Sequence, residues 1–256
     1  MPKKIIYEQP LNERIRTFLR LEFLFTRVEH ALQSNTELNN RNAIDGLLNI
    51  VSVFERSDLK QEIIKELERL VSTLSALENT PGVDKQALDH LLNELDQILD
   101  SLHLSKSAIG QSLRENDFLY SIRQRASIPG GSCDFDLPAY HFWLQHTPDE
   151  ARQQQLSAWL AQFSSMRAAI EISLKLIRSS TGFHEVSATT GFFQQNLDSS
   201  QSNQLIRVQV KNNVSYYPEI SGGKHRFTVR MMEFDINQRA KQIGEDVNFS
   251  LSICTM

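Results

Sequence analysis

The side chains with the clearest capacity for chemistry in this sequence are basic and lie near the C-terminus. Polar and apolar residues alternate there in a pattern typical of a half-buried β-strand, so Arg226, Thr228 and Arg230 share one face. Lys224 stands just before, after two glycines, and by parity lies on the same side. Guanidinium groups bind carboxylates through paired hydrogen bonds. The face is therefore either a receiver for an anionic partner or an ordinary solubilising surface.

Residue types that support enzyme chemistry occur only in fragments. Cys133 and His141 could form a thiol–imidazole pair, but no third group that would orient the histidine is evident. The segment Ser221-Gly-Gly-Lys224 resembles part of a phosphate-binding loop without its full spacing. The chain also lacks the His-x-x-x-His and Cys-x-x-Cys spacings that are typical of metal sites. We therefore predict a protein that is not an enzyme and that binds no metal and no cofactor.

The composition is that of a soluble globular protein. The 256 residues suffice for one large domain or two modest ones, and 40% are hydrophobic. A net charge of −4 argues against a polycation that binds nucleic acid, so a site for anions must be a local cluster. The two cysteines suggest no disulfide framework, the N-terminal residues lack a secretion signal, and no run approaches the roughly 20 apolar residues that span a bilayer. We expect a cytoplasmic protein without membrane insertion.

A break between long helical patterns occupies the middle of the chain. Arg123 and Arg125 close one helical pattern, and Ile128-Pro-Gly-Gly131 interrupts it. A Pro-Gly-Gly segment needs backbone angles that only glycine adopts freely. The helical pattern that follows carries an aromatic cluster, formed by Tyr140, His141, Phe142 and Trp143. The break is either a tight connection between two helices or a corner where basic and aromatic side chains form a site.

Most of the chain has the hydrophobic period of helices. From about residue 11 to residue 180, apolar residues recur at i, i+3, i+4 and i+7. Asn12 is placed to cap the first of these helices. Pro81-Gly82 separates two leucine-rich patterns, which predicts an antiparallel helical hairpin. Its leucines either serve the core or pair with a second subunit.

After Gly182 the hydrophobic period changes to 2, which predicts an antiparallel sheet with one buried face. Lys4 to Glu8 are also strand-prone, but they are too few to be stable alone, so we expect them to join that sheet. The predicted fold class is α+β. A large helical domain of antiparallel helices takes residues 11–180, and a smaller antiparallel β-sheet domain takes residues 1–10 and 181–256.

Several motifs resemble those of the ZapD family of bacterial cell-division proteins. In the middle of the chain they are Ser127-Ile-Pro-Gly-Gly131, Phe135-Asp-Leu-Pro138 and His141-Phe-Trp-Leu144. A block from Pro10 to Phe23 matches near the start, and Tyr217-Pro-Glu-Ile-Ser-Gly222 leads into the basic strand near the end. The resemblance covers nearly the whole chain in the family's order.

The resemblance implies a partner and a site. Proteins of this family bind the C-terminal tail of the tubulin-like protein FtsZ through basic residues. As homodimers they cross-link FtsZ protofilaments at the midcell division ring. The positions that match the family's basic residues are His141, Lys224, Arg226, Arg230, Arg56, Arg114, Arg123 and Arg125. Asp117 departs from the family pattern.

Alternative interpretations remain open for the site and for the function. His141 could be a core histidine hydrogen-bonded near Trp143, and some of the arginines before residue 130 could be structural. A function of another class is a nucleic-acid-binding regulator that uses the same basic groove. The acidic net charge and the lack of a basic helical motif argue against it.

Overall fold

A computed structural model describes residues 4–55, 58–104 and 109–256. The chain divides into two compact units. The sheet unit takes the chain up to Thr17 together with Ser173–Met256, and the helical unit takes Phe18–Ile172. The domain boundaries that the hydrophobic period suggests, after residues 10 and 180, stay a prediction.

Helices dominate the chain before residue 180. The described residues form nine of them: α1 (Glu13–Leu32), α2 (Glu37–Glu55), α3 (Leu59–Ser75), α4 (Lys85–Leu104), α5 (Gln111–Arg114), α6 (Asp117–Arg125), α7 (Pro138–His146), α8 (Asp149–Ala161) and α9 (Ser164–Ser179). The Asn12 side chain caps α1, since its Oδ1 accepts a hydrogen bond of 2.9 Å from the Ile15 N–H. Among the described residues, no helix combines the length and the apolar character needed to cross a membrane.

Aromatic side chains fill the core of the helical unit. Phe25 of α1 and Phe54 of α2 pack on the fully buried Phe163, with ring centroids 6.3 and 5.4 Å away. The α3 and α4 helices pack on each other around the turn at Gly82, as the Pro-Gly signal predicts. The apolar stripe of α4 is only partly covered. Three of its leucines are buried, whereas the other four apolar residues are half-buried: Leu91, Leu92, Ile98 and Leu99.

Two antiparallel sheets build the sheet unit. The strands are β1 (Lys4–Pro10), β2 (His184–Ala188), β3 (Phe192–Asn196), β4 (Asn203–Lys211), β5 (Tyr216–Gly222), β6 (Arg226–Glu233), β7 (Lys241–Gln242) and β8 (Val247–Thr255). The first sheet has the order β1-β4-β8-β2, and the second has the order β3-β6-β5 with β7 also paired to β6. The fold class is α+β, as predicted, but the strands form two sheets where the alternation suggested one.

The N-terminal strand joins the first sheet, as its length predicts. β1 pairs with β4 along its whole length, and Glu8 stands directly opposite Arg207. The Glu8 carboxylate accepts hydrogen bonds from Arg207 Nε at 3.0 Å and from Arg178 Nη2 at 2.7 Å. Only 19% of the Glu8 side chain is exposed, so this shared carboxylate ties the strand to two other elements away from most of the solvent.

The two sheets share one hydrophobic core. β4 contributes Ile206, Val208 and Val210, and β8 contributes Phe249 and Leu251. From β6 come Phe227, Val229 and Met231, each of which is fully buried. Because side chains alternate along a strand, the residues between these three must point away from the core. The packing of the sheet unit therefore decides which face of β6 meets the solvent.

Candidate functional site

The outer face of β6 carries the basic residues that the alternation of the sequence places there. Arg226 and Arg230 are exposed, on the side of the strand opposite Phe227 and Val229. Lys224 differs from the expectation, because it lies in the turn before the strand and has no strand parity. The turn is tight, since the Gly223 N–H donates to the Arg226 carbonyl at 3.0 Å. Lys224 therefore stands at the tip of the β5–β6 hairpin.

These three cations have no internal partner among the residues that the structure describes. Across residues 4–55, 58–104 and 109–256, neither Lys224, Arg226 nor Arg230 forms an ion pair. Glu219 stands opposite Arg230 on β5, but its carboxylate accepts a hydrogen bond from the Tyr217 hydroxyl at 3.4 Å instead. Residues Ser221 to Thr228 line a depression of about 700 Å³ at the hairpin. The face can bind carboxylates without first breaking a contact of its own.

Arg123 and Arg125, which precede the central break, differ from the cations of β6 because each of the two has a carboxylate partner. Arg123 donates to both oxygens of Glu55, and these hydrogen bonds raise the pKa of Arg123 above its ordinary value. Arg125 Nη1 lies 3.7 Å from an oxygen of Asp136. These arginines are therefore partly neutralised, and each must give up or share a carboxylate in order to bind an anion.

His141 is partly exposed, although its Nδ1 is buried. Its side chain is 45% exposed, and its Nδ1 lies 3.2 Å from Asp134 Oδ1. Trp143 uses its indole N–H elsewhere, donating to Gln155 Oε1 at 2.8 Å. The interpretation of His141 as a core histidine bonded near Trp143 is therefore wrong. His141 belongs to the helical unit and the residues of β6 belong to the sheet unit, so they are candidates on separate bodies.

Arg41 holds the central break against α2, and the sequence reasoning missed it. Its guanidinium donates to the Ser132 carbonyl at 2.9 Å and to Asp134 Oδ1 at 3.1 Å. It also pairs with Glu37 at 2.9 Å and lies 4.9 Å from the centre of the Tyr140 ring. Burial raises the pKa of the Tyr140 hydroxyl, so the ring stays neutral under the cation. Of these contacts, only the i, i+4 spacing of Glu37 and Arg41 could be seen in the sequence.

The two glycines of the break serve different purposes. Gly130 has φ +72°, a left-handed angle that favours glycine. Gly131 is needed for space, because a Cβ there would lie 2.4 Å from the Arg125 carbonyl oxygen. A depression of about 640 Å³ beside this corner is lined by Arg27, Arg123 and Arg125 together with the backbone of the loop. The break is thus a closely packed connection with basic side chains on its rim.

The remaining predicted residues lie elsewhere. Arg114 is half-buried and donates one hydrogen bond to the Ile109 carbonyl at 2.9 Å. Arg56 lies outside the described residues. Asp117 begins α6, and its exposed carboxylate suits the positive end of the helix dipole.

The thiol and the potential metal ligands of the described residues show no catalytic arrangement. Cys133 Sγ donates to Asp136 Oδ2 at 3.4 Å, so its partner is a carboxylate and the thiol–imidazole pair with His141 is wrong. In the described part of the chain, no three His, Cys, Asp or Glu residues form a group that could hold a metal ion. The free cations of β6 are therefore the clearest chemical feature of the structure.

Comparison with known proteins gives consistent results over the full length. The family model for ZapD, described as a cell division protein, matches residues 19–230. The chain is 40% identical over 256 residues to cell division protein ZapD of Methylococcus capsulatus, covering 100% of both chains. It is 41% identical to ZapD of Cupriavidus pinatubonensis over 251 residues, which are 98% of this chain and 99% of the relative. It is also 41% identical to ZapD of Dechloromonas aromatica over 253 residues, which are 98% of this chain and 100% of that relative.

Proposed function

The chain belongs to the ZapD family of cell division proteins, and from this premise we propose that it binds the C-terminal tail of FtsZ. As a dimer it cross-links FtsZ protofilaments and so supports assembly of the division ring. The proposal places the protein in the cytoplasm, at midcell with the division ring. The protein acts by binding, without catalysis and without a cofactor.

The free cations of β6 are the single observation that carries this proposal. Arg226 and Arg230 are exposed on a strand whose other face is locked into the core by Phe227 and Val229. Since the strand is held by its core face, the backbone that carries the two arginines is fixed before a ligand arrives, and only their side chains must be ordered on binding. Free guanidinium groups on a rigid strand suit the carboxylates of an acidic protein segment.

The other matched residues take secondary places in the proposal. Arg123, Arg125 and His141 contribute to an anionic partner only by sharing their present carboxylates. Arg114 holds the backbone near Ile109 and is assigned a structural role. Binding by Arg56 stays a prediction from the resemblance.

A second copy of the chain is required for cross-linking, because a molecule with one tail-binding site can bind only one filament at a time. A dimer has two such sites and can connect two filaments. The half-buried edge of α4 is the surface that supports this part of the proposal. Leu92 and Leu99 lie one above the other on a helix that packs mainly along α3. The exposed carboxylates of Asp89 and Asp96 flank this edge, three or four positions from Leu92 and Leu99, so a pair of such edges must leave these carboxylates in solvent. We place the contact between two copies along this edge.

Charge reversal on β6 tests the proposal. The Arg226→Glu and Arg230→Glu variants are titrated with a labelled FtsZ-tail peptide, and FtsZ bundling is followed by light scattering. Loss of a charge-assisted contact of about 2 kcal/mol corresponds to roughly thirtyfold weaker binding. Lys211→Glu, a charge reversal at an exposed position on β4 in the other sheet, is the matched control.

The outcomes separate the possible functions. The proposal expects weak binding and no bundling by the β6 variants, with the parent's circular dichroism and sedimentation, and normal behaviour of the control. Normal bundling by the folded β6 variants would refute the site. A gel shift of duplex DNA by the parent, without binding of the tail peptide, would instead support the nucleic-acid regulator.

A further inference from the structure

The outer face of the β3–β6–β5 sheet continues past the arginines into an aromatic end. Phe192 of β3 stands directly opposite Arg230, and 37% of it is exposed. On the other side of β6, Tyr217 of β5 stands opposite the half-buried Met232. The face therefore carries Arg226 near the hairpin tip and Arg230 in its middle, between Phe192 and the carboxylate of Glu219. Met232 and Tyr217 make its far end apolar.

Phe234 enlarges the apolar end just after β6. Its ring lies edge-on to Tyr217, with centroids 6.5 Å apart and planes at 74°, and 67% of the residue remains exposed. Its backbone is held in place, because the Phe234 N–H donates to the Ser215 carbonyl at 3.0 Å. We name Phe192, Tyr217, Met232 and Phe234 the aromatic end.

The aromatic end is not needed for the core of the sheet unit. That core is filled from the opposite side of β6 by Phe227, Val229 and Met231, all fully buried. Large apolar side chains that are exposed next to one another often mark a binding surface. Aromatic rings contribute large contact areas there at little cost in side-chain entropy.

The two ends lie along one strand at a distance that a short peptide can span. Six residue steps separate Arg226 from Met232, which is about 20 Å of extended chain. We infer that the outer face of this sheet binds one extended segment of about seven residues, with carboxylates over Arg226 and Arg230 and large apolar side chains against the aromatic end. The inference rests on the proposed function, which takes this segment to be the FtsZ tail.

Charge complementarity favours this single occupant. The free cations at one end call for carboxylates, and the apolar rings at the other call for aliphatic or aromatic side chains. The two parts contribute differently to binding. The contacts at the basic end are screened by salt, whereas the contacts at the aromatic end persist at high ionic strength.

A salt series separates the two parts. The FtsZ-tail peptide is titrated at low and at high salt into the parent, Arg226→Glu and the double variant Phe192→Ala with Phe234→Ala. We expect the aromatic variant to bind about tenfold more weakly at every salt concentration, with the parent's salt dependence. The Arg226 variant should bind more weakly with a reduced salt dependence. Ile5→Ala, which removes an apolar side chain that is 41% exposed on β1, is the control.

A second peptide tests whether the apolar residues of the tail are what contacts the aromatic end. In it the apolar residues of the tail are replaced by serine, and it should bind the parent and the aromatic variant with equal affinity. If the aromatic variant binds the unmodified tail as tightly as the parent, while Arg226→Glu loses binding, the inference fails and the proposed function stands. If the parent binds no tail peptide at any salt concentration, both fail. Since both phenylalanines lie at the surface, unchanged thermal melting shows that the variant is folded.

Discussion

The central break offers the sharpest test of how this chain holds its basic corner. Gly130 adopts φ +72° with nothing within 4 Å of a Cβ built there, whereas a Cβ on Gly131 would lie 2.4 Å from the Arg125 carbonyl oxygen and 2.9 Å from the Ile128 Cβ. Alanine should therefore be tolerated differently at the two sites. At Gly130 it meets only backbone strain, and at Gly131 it meets a collision with main-chain atoms.

The magnitudes follow from these two causes. A left-handed angle costs a residue with a Cβ about 1 kcal/mol, and asparagine less, because asparagine visits this region routinely. A Cβ forced against the Arg125 carbonyl must move the backbone, which we place at about 2 kcal/mol by analogy with overpacked cores. That carbonyl already accepts the Ile128 N–H at 3.0 Å, so the shift also weakens a turn hydrogen bond. The expected order of destabilisation is Gly131→Ala, then Gly130→Ala, then Gly130→Asn.

Urea unfolding followed by circular dichroism measures this order for the three variants and the parent. The midpoints should fall in that order at a constant slope, since the same surface is exposed on unfolding. A Gly131→Ala variant as stable as the parent, or more stable than Gly130→Asn, would contradict our explanation that position 131 has no room for a Cβ and that position 130 needs only a left-handed φ.

Two further predictions concern the two units separately. Glu8→Ala should lower the free energy of unfolding, measured by urea titration, by about 3 kcal/mol, because it leaves two partly buried arginines without the carboxylate they share. Glu8→Gln should lower it by less. Equal stability of the parent and the two variants would disprove a stabilising role of this carboxylate. If the chain forms the proposed dimer, replacing Leu92 and Leu99 together by aspartate should give a monomer in sedimentation equilibrium. Gln97→Asp, at an exposed position of the same helix, should leave the oligomeric state of the parent unchanged, and a dimer in both variants would move the contact elsewhere.

Local pattern determined much of this protein. The alternation of polar and apolar residues around Arg226 and Arg230 placed them on the outer face of a strand, because the side-chain period of a strand is independent of its surroundings. Two other local signals were confirmed: the short N-terminal strand joins a sheet, and Asn12 caps the first helix. Motif resemblance, a different kind of information, identified the family that the comparisons then showed.

The alternation of side chains gave a wrong prediction where the chain leaves regular structure. Lys224 lies in a turn, whose geometry follows from hydrogen bonding across the hairpin and not from a repeat. The number of sheets could not be read from alternation either. Strands with one buried face look alike whether a second sheet or a helix covers that face.

Only the tertiary structure decided which basic residues are free. Arg123 and Arg125 resemble Arg226 and Arg230 in the sequence, yet the first two meet Glu55 and Asp136 while the last two meet no carboxylate among the described residues. The partner of Arg123 lies 68 positions away along the chain. Ion pairing depends on the distance between charged groups in space, and no local period encodes that distance. The sequence therefore determined where the cations point, and the fold determined which of them remain available to a partner.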